Sequence, residues 1–186
     1  MKPKKIAVIV GSLRKESVSR KAAKALLALS PESLILEIIE IGGLQMYNQD
    51  LEESPPSAWT EFRGHVKGCD GVLFVTPEYN RSVPAVLKNA IDIGSRPYGQ
   101  SVWDGKPGAV VSVSPGAFGG FGANHHLRQT LVSLNISAMP QPEAYLGGAA
   151  NLFDSSGNCT NDSTREFLQK FMNAFAEWVA RNSAGL

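Results

Sequence analysis

Short apolar runs alternate with amphipathic segments from one end of this chain to the other. The runs are KIAVIV at 5–10, LILEIIEI at 34–41, GVLFVT at 71–76, GAVVSVS at 108–114 and NISAM at 135–139. Such runs, rich in β-branched residues and bounded by turn formers, read as strands. The first, third and fourth show almost no polar alternation, the mark of strands covered on both faces. Residues 17–30, 57–68, 84–95, 122–134 and 163–182 instead carry apolar side chains at helical spacing. Strands alternating with helices predict an α/β fold. The expected form is a doubly wound, five-stranded parallel sheet inside a three-layer α/β/α sandwich.

Local signals support the helices. Pro84 stands where a first helical residue belongs, with Val86, Leu87, Ala90 and Ile91 recurring on one face. Ser163 and Glu166 form a capping box ahead of a stripe running from Phe167 to Val179. With 186 residues, 43% of them hydrophobic, and no linker or repeat, residues 1–186 read as a single domain. Eighteen Lys and Arg against 17 Asp and Glu leave a net charge of +1, too weak a field to argue for nucleic acid. The apolar run after the basic start is too short for a signal peptide or a membrane span, so a cytoplasmic protein is expected. Cys69 and Cys159 then read as free thiols, since they make neither a disulfide framework nor a zinc site.

In a doubly wound sheet, ligands bind beyond the carboxyl ends of the strands where strand order reverses. Three strand ends therefore matter. GSLRKESVSR at 11–20 joins a tight turn to a helix start, and Ser12, Arg14, Ser17 and Ser19 could hold a phosphate monoester there. It lacks the second glycine of the dinucleotide fingerprint and of the P-loop. On this loop alone, an anion site and a plain capped turn are equally compatible with the residues. In the second loop Pro77 ends a strand, Glu78, Tyr79, Asn80 and Arg81 line the turn, and Ser82 is placed to cap the next helix. Its backbone could read the edge of a flat heterocycle, though in isolation an ordinary loop is the simpler reading. The third, SVSPGAFGGFGA at 112–123, would allow a backbone to approach a ring, though a flexible turn explains it more simply. Together the three suggest one ligand with both a phosphate and a heterocycle, such as a flavin mononucleotide.

Several of these stretches carry a family resemblance. GSLRKESVSR, LQMYNQDLE at 44–52, TPEYNRSVPAVLKNAIDIGSR at 76–96, GKPGAVVSVSPGAFGG and HLRQTL at 126–131 resemble the NADPH-dependent FMN reductases, and most closely their chromate and quinone reductase branch. The resemblance runs from about residue 4 to 180 and implies a flavodoxin-like fold holding FMN. Hydride from NADPH or NADH would pass through the flavin to quinones, azo compounds or metal oxyanions such as chromate. By matching position, Ser12, Arg14, Ser17 and Ser19, with the backbone of Leu13 and Val18, would bind the FMN phosphate. Pro77, Glu78, Tyr79, Asn80 and Arg81 would border the isoalloxazine, and Ser114 and Gly116 would complete the pocket. The resemblance also implies a homodimer or homotetramer, with the loop Tyr47–Asn48–Gln49–Asp50 offered to a neighbour. Relatives often carry larger residues where Gly122 and His125 stand.

Because a flavin carries its own chemistry, no catalytic side chain is assigned and no metal is expected. His125 and His126 face different directions on a helix, and Asp50 and Asp92 read as capping or loop residues. Arg81 and Arg96 are expected at the flavin mouth, where they would attract anionic acceptors or a pyridine nucleotide phosphate. A flavodoxin-type electron carrier without NAD(P)H activity is the alternative, although such carriers expose an acidic docking face that this composition lacks. A regulatory module with an empty flavin pocket is a third reading.

Overall fold

The computed structural model describes residues 2–183. Four long strands, β1 (Lys4–Val10), β2 (Leu34–Ile39), β3 (Gly71–Thr76) and β4 (Pro107–Val113), pair in parallel in the order β2-β1-β3-β4. The fifth position is shared by two pieces. β5 (Ser137–Ala138) pairs with Pro107 and Gly108, and β6 (Ala144–Leu146) pairs with Val111 to Val113. The strand expected at 135–139 is thus shorter and resumes after a gap. Pro140 and Pro142 lie in that gap, and a residue without an N–H cannot donate to a ladder.

The helices are α1 (Val18–Ala28), α2 (Ser57–Lys67), α3 (Ala85–Gly94), α4 (Phe121–Ser133) and α5 (Asp162–Asn182). Alternation along the strands sorts them into two layers. Ile6, Val8, Val10, Leu73, Val75, Val111 and Val113 face α1 and α5, where Leu26, Phe171 and Phe175 close one core. Ala7, Ile9, Val72, Phe74 and Val110 face α2, α3 and α4, packing on Trp59, Leu87, Ile91 and Leu127 in the other. This is the flavodoxin-like sandwich that the sequence predicts. Each fully buried Leu, Ile or Phe contributes roughly 1.5–3 kcal/mol by leaving water. Trp103 fastens the second core, its Nε1 donating to Ile91 O at 2.9 Å while its ring packs on Phe74 with centroids 5.8 Å apart.

Two helix starts differ from expectation. Asn161 caps α5, accepting from Thr164 N at 2.9 Å and from the Ser163 hydroxyl at 2.8 Å, so Ser163 serves the cap without being it. An amide oxygen two residues earlier reaches the free N–H groups, so the helix starts at Asp162. At α3, Pro84 is extended at ψ 144 and the helix begins at Ala85 without a side-chain cap. Asp92 lies within α3, where it pairs with Lys88 at 2.6 Å, rather than in a cap. No helix among the described residues is long and apolar enough to cross a membrane.

The topology fixes where a ligand can sit. From β1 the chain goes to one side for β2 and to the other for β3, so strand order reverses between β1 and β3. A crevice opens beyond their carboxyl ends.

Candidate functional site

The loop after β1 leaves the sheet beside β3, with Gly11 N donating to Val75 O at 2.9 Å. A Cβ on Gly11 would stand 3.0 Å from Leu87 Cδ2 and 3.2 Å from Thr76 Oγ1, so glycine lets α3 close against the turn. Beyond it, Leu13 and Arg14 are exposed. Arg14 has no carboxylate partner among the described residues, whereas Arg20 is drawn aside into an ion pair with Glu40. Ser17 is buried and caps α1, its Oγ accepting from Arg20 N at 3.2 Å. The amides of Val18 and Ser19 find no acceptor among the described residues. These are the orphan donors of a helix start, and with the helix dipole they favour an anion.

The second loop closes as a tight turn. Tyr79 N donates to Ser82 O at 3.0 Å and Ser82 N to Tyr79 O at 2.9 Å. Asn80 and Arg81 between them both adopt positive φ, 50° and 64°. Two left-handed residues in succession make a type I′ turn, a natural place for Asn but a costly one for Arg. The turn is held from α4. Glu78 Oε2 accepts from Ala123 N at 3.1 Å, and Ser82 Oγ shares a hydrogen bond with His126 Nδ1 at 2.9 Å. The Arg81 guanidinium lies 5.6 Å from the centre of the Phe118 ring. Ser82 is therefore not the cap of α3. The Glu78 carboxylate, 13% exposed, is committed to the start of α4 and to Arg81. The amides of Asn80 and Arg81 are without partners among the described residues.

The third loop is docked, not loose. Ser114 N donates to Leu146 O at 2.9 Å, Ala149 N to Ser114 O at 3.1 Å and Gly148 N to Gly116 O at 3.2 Å. The segment after β6 thus supports the turn, and sequence reading missed it because β6 is only three residues long. Phe118 and Phe121 stand exposed at this end. Tyr145 shares a hydrogen bond with His125 Nε2 at 3.0 Å. Burial, then the neighbouring Glu143, pushes the Tyr145 hydroxyl up to about 12.

A cleft of about 400 Å³ opens between Ser12, Leu13 and Arg14 on one wall and Tyr79, Pro84 and Val86 on the other. The fold therefore brings the first two loops together at the switch point. Ser114 and Gly116 lie outside that cleft, and Ser17 and Ser19 are buried beneath the first loop. Arg96 does not reach it. It follows α3, roughly 15 Å of helix from Pro84, and its Nε stands 3.8 Å from Glu52 Oε1. A groove of about 850 Å³ between α3 and α4 holds Arg96 and His126, away from the β1–β3 crevice.

Tyr47 is held within its own chain. Its hydroxyl donates to Glu52 at 2.6 Å and its ring stacks on Trp59 with centroids 5.6 Å apart. The Glu52 hydrogen bond, then burial, raises the Tyr47 hydroxyl above the usual phenol range. Asn48, Gln49 and Asp50 remain exposed, and Asn48 caps a short turn by accepting from Asp50 N. Asn89 is the buried residue that shapes this loop, accepting from Tyr47 N at 2.8 Å and donating to Gln45 O at 3.1 Å. An amide beside the apolar stripe of α3 was the available signal, since a buried amide needs partners.

Set against known proteins, residues 4–151 match a family model described as NADPH-dependent FMN reductase. A quinone reductase of Pseudomonas putida is 64% identical over 180 residues, 96% of each chain. A 2-hydroxy-1,4-benzoquinone reductase of a Burkholderia species is 47% identical over 175 residues, 94% of this chain and 96% of its own. The solved structure of FerB, a flavoenzyme NAD(P)H:(acceptor) oxidoreductase from Paracoccus denitrificans, superposes with a TM-score of 0.91 at 41% identity. That match covers 96% of this chain and 98% of FerB.

Proposed function

The chain belongs to the NADPH-dependent FMN reductase family, and we propose that it works as an FMN-dependent NAD(P)H:quinone oxidoreductase. One observation carries the reading. At the strand-order switch point, a single cleft runs from Arg14 and the nearby unpartnered start of α1 to Tyr79 and its turn. An anion fits the first end and the edge of a flat ring fits the second, which is the shape of the donor set FMN requires. When bound, FMN supplies the hydride-accepting and electron-donating chemistry.

The residues of the chain then bind and orient. Arg14 offers a cation and Ser12 a hydroxyl to the phosphate, while the amides of Val18 and Ser19 point the α1 dipole at it. Ser17 and Ser19 would hold the start of that helix, with the backbone of Leu13 completing the cradle. The free amides of Asn80 and Arg81 would meet polar atoms at the ring edge, with Pro77 below and the half-exposed Tyr79 ring beside it. Glu78 would act through the position of that turn. Ser114 and Gly116 would bound the far side.

Azo compounds or metal oxyanions such as chromate are further candidate acceptors. We take residues 1–186 as one domain, working in the cytoplasm as a homodimer or homotetramer. The deciding experiment is anaerobic stopped-flow mixing of the FMN-loaded protein with NADPH, followed by a benzoquinone. Bleaching of the flavin band in catalytic time and its return on adding quinone are expected. A flavin that stays oxidised on that timescale would favour an electron carrier, and a protein that takes up no FMN would end both readings.

A further inference from the structure

We propose that the first turn of α4 is a fixed seat for the Tyr79–Ser82 turn, with Gly122 as the positioning residue that sets how closely that turn leans over the cleft. The inference rests on the reading of the turn as the border of the flavin ring. Its starting point is a close approach. A Cβ built on Gly122 would stand 2.6 Å from Arg81 O and 3.0 Å from Glu78 Oε2. The first of these is backbone, so it cannot swing aside as a flexible side chain would. Glycine is also less favourable than alanine in a helix, by up to about 1 kcal/mol in its interior. Gly122 is therefore a poor choice for α4 alone but lets the turn come this close in this chain, and a larger residue at that position would hold the turn farther out.

Three further contacts converge on the same turn. Ala123 N, among the first free donors of α4, is taken by Glu78, and His126 meets Ser82 one helical turn later. Phe118, just ahead of α4, lies under the Arg81 guanidinium. Residues held at positive φ, as Asn80 and Arg81 are, persist only where the surroundings over-determine them. The seat supplies that determination. It fixes the free amides of Asn80 and Arg81 and the Tyr79 ring relative to Arg14 across the cleft. A side chain at position 122 would push the turn outward and change the width available to ring and acceptor.

The test compares Gly122→Ala, His126→Ala and His126→Asn with the native protein. Amide hydrogen exchange at Tyr79 and Ser82 is read in the protein without FMN, so the seat is assayed apart from the chemistry. FMN affinity comes from flavin fluorescence titration, and KM and kcat from benzoquinone reduction. For Gly122→Ala we expect a melting temperature within a few degrees of native, because the better helix residue offsets the displaced turn. Exchange at both amides should rise about fivefold, the factor set by losing one modest hydrogen bond. FMN dissociation and quinone KM should rise by a similar factor, with kcat little changed. His126→Ala should move the same readouts less, and His126→Asn should restore them by placing an amide near Nδ1. Native exchange, affinity and KM in Gly122→Ala would overturn the proposal. So would a sharp loss of melting temperature with every parameter falling in proportion. If the native protein takes up no FMN, the assigned function fails, and the exchange data alone decide the seat.

Discussion

The two edges of one sheet are built on opposite plans. At the amino-terminal edge, the polar residues ahead of the strands are tied to one another. Asp70 accepts from Lys5 N at 2.8 Å and from Lys4 Nζ at 3.1 Å, joining the entries of β1 and β3. Lys106, only 7% exposed ahead of β4, donates to Cys69 O. At the carboxyl edge the equivalent positions end in turns with amides that, like the Arg14 side chain, are without partners among the described residues, and in two residues at positive φ. Polar groups that close on each other stabilise the fold. Groups held open by strain and packing are available to a ligand, and the contrast supports the proposed site without appeal to any relative.

The largest effect separating the edges is expected at Lys106. Lys106→Ala removes a buried donor and its stem together and should lower unfolding free energy by about 2–4 kcal/mol in denaturant titration. FMN affinity of the folded variant should be unchanged. Burial holds the Lys106 ammonium below its ordinary range. The unfolded chain therefore binds more protons between that lowered value and roughly 10.4, so native stability gains from this group as pH rises through the window. The variant should lose that gain, and a variant with an unchanged pH slope would remove Lys106 from the account.

Arg14→Ala probes the opposite edge. Loss of one charge-assisted contact costs roughly 1.5–3 kcal/mol of binding, so FMN dissociation should rise at least tenfold. The melting temperature without FMN should not move, because Arg14 is exposed and has no ion pair among the described residues. Equal loss of stability and binding would blur the two plans.

The smallest effect is expected at Asp70. Burial opposes its ionisation, but hydrogen bonds from Lys5 N and Lys4 and the charges of Lys4 and Lys106 hold the carboxyl below its ordinary value. A depressed carboxyl stabilises above the unfolded pKa of about 3.9 and loses that contribution as pH falls through the folded value. Asp70→Asn should cost no more than about 1 kcal/mol at neutral pH, since the pair is partly solvated. The gap between variant and native protein should close in acid. A gap that persists in acid would mean the hydrogen bonds, rather than the charge, do the work.

Much of the architecture could be read from patterning, because burial on both faces leaves no polar alternation. β3 was legible to the residue, at Gly71–Thr76, and the other long strands and the helices to within two residues or so at each end. The fifth strand was not, since two prolines divide it and three residues are too few to show a period. That Ser12, Arg14 and Tyr79 would line one cleft could be anticipated, because strand ends in such a sheet meet. The partner of Glu78 was not legible, since Ala123 lies 45 residues away.

By itself, then, the sequence determined the layer order, the strand ends that matter and the chemical types gathered there, because periodicity and turn chemistry are local properties. Only the tertiary structure decided which of those groups are free and which are already engaged. Whether Arg20 meets Glu40, or Glu78 meets the start of α4, depends on helices packed from distant parts of the chain. No local pattern encodes the partner a side chain will find.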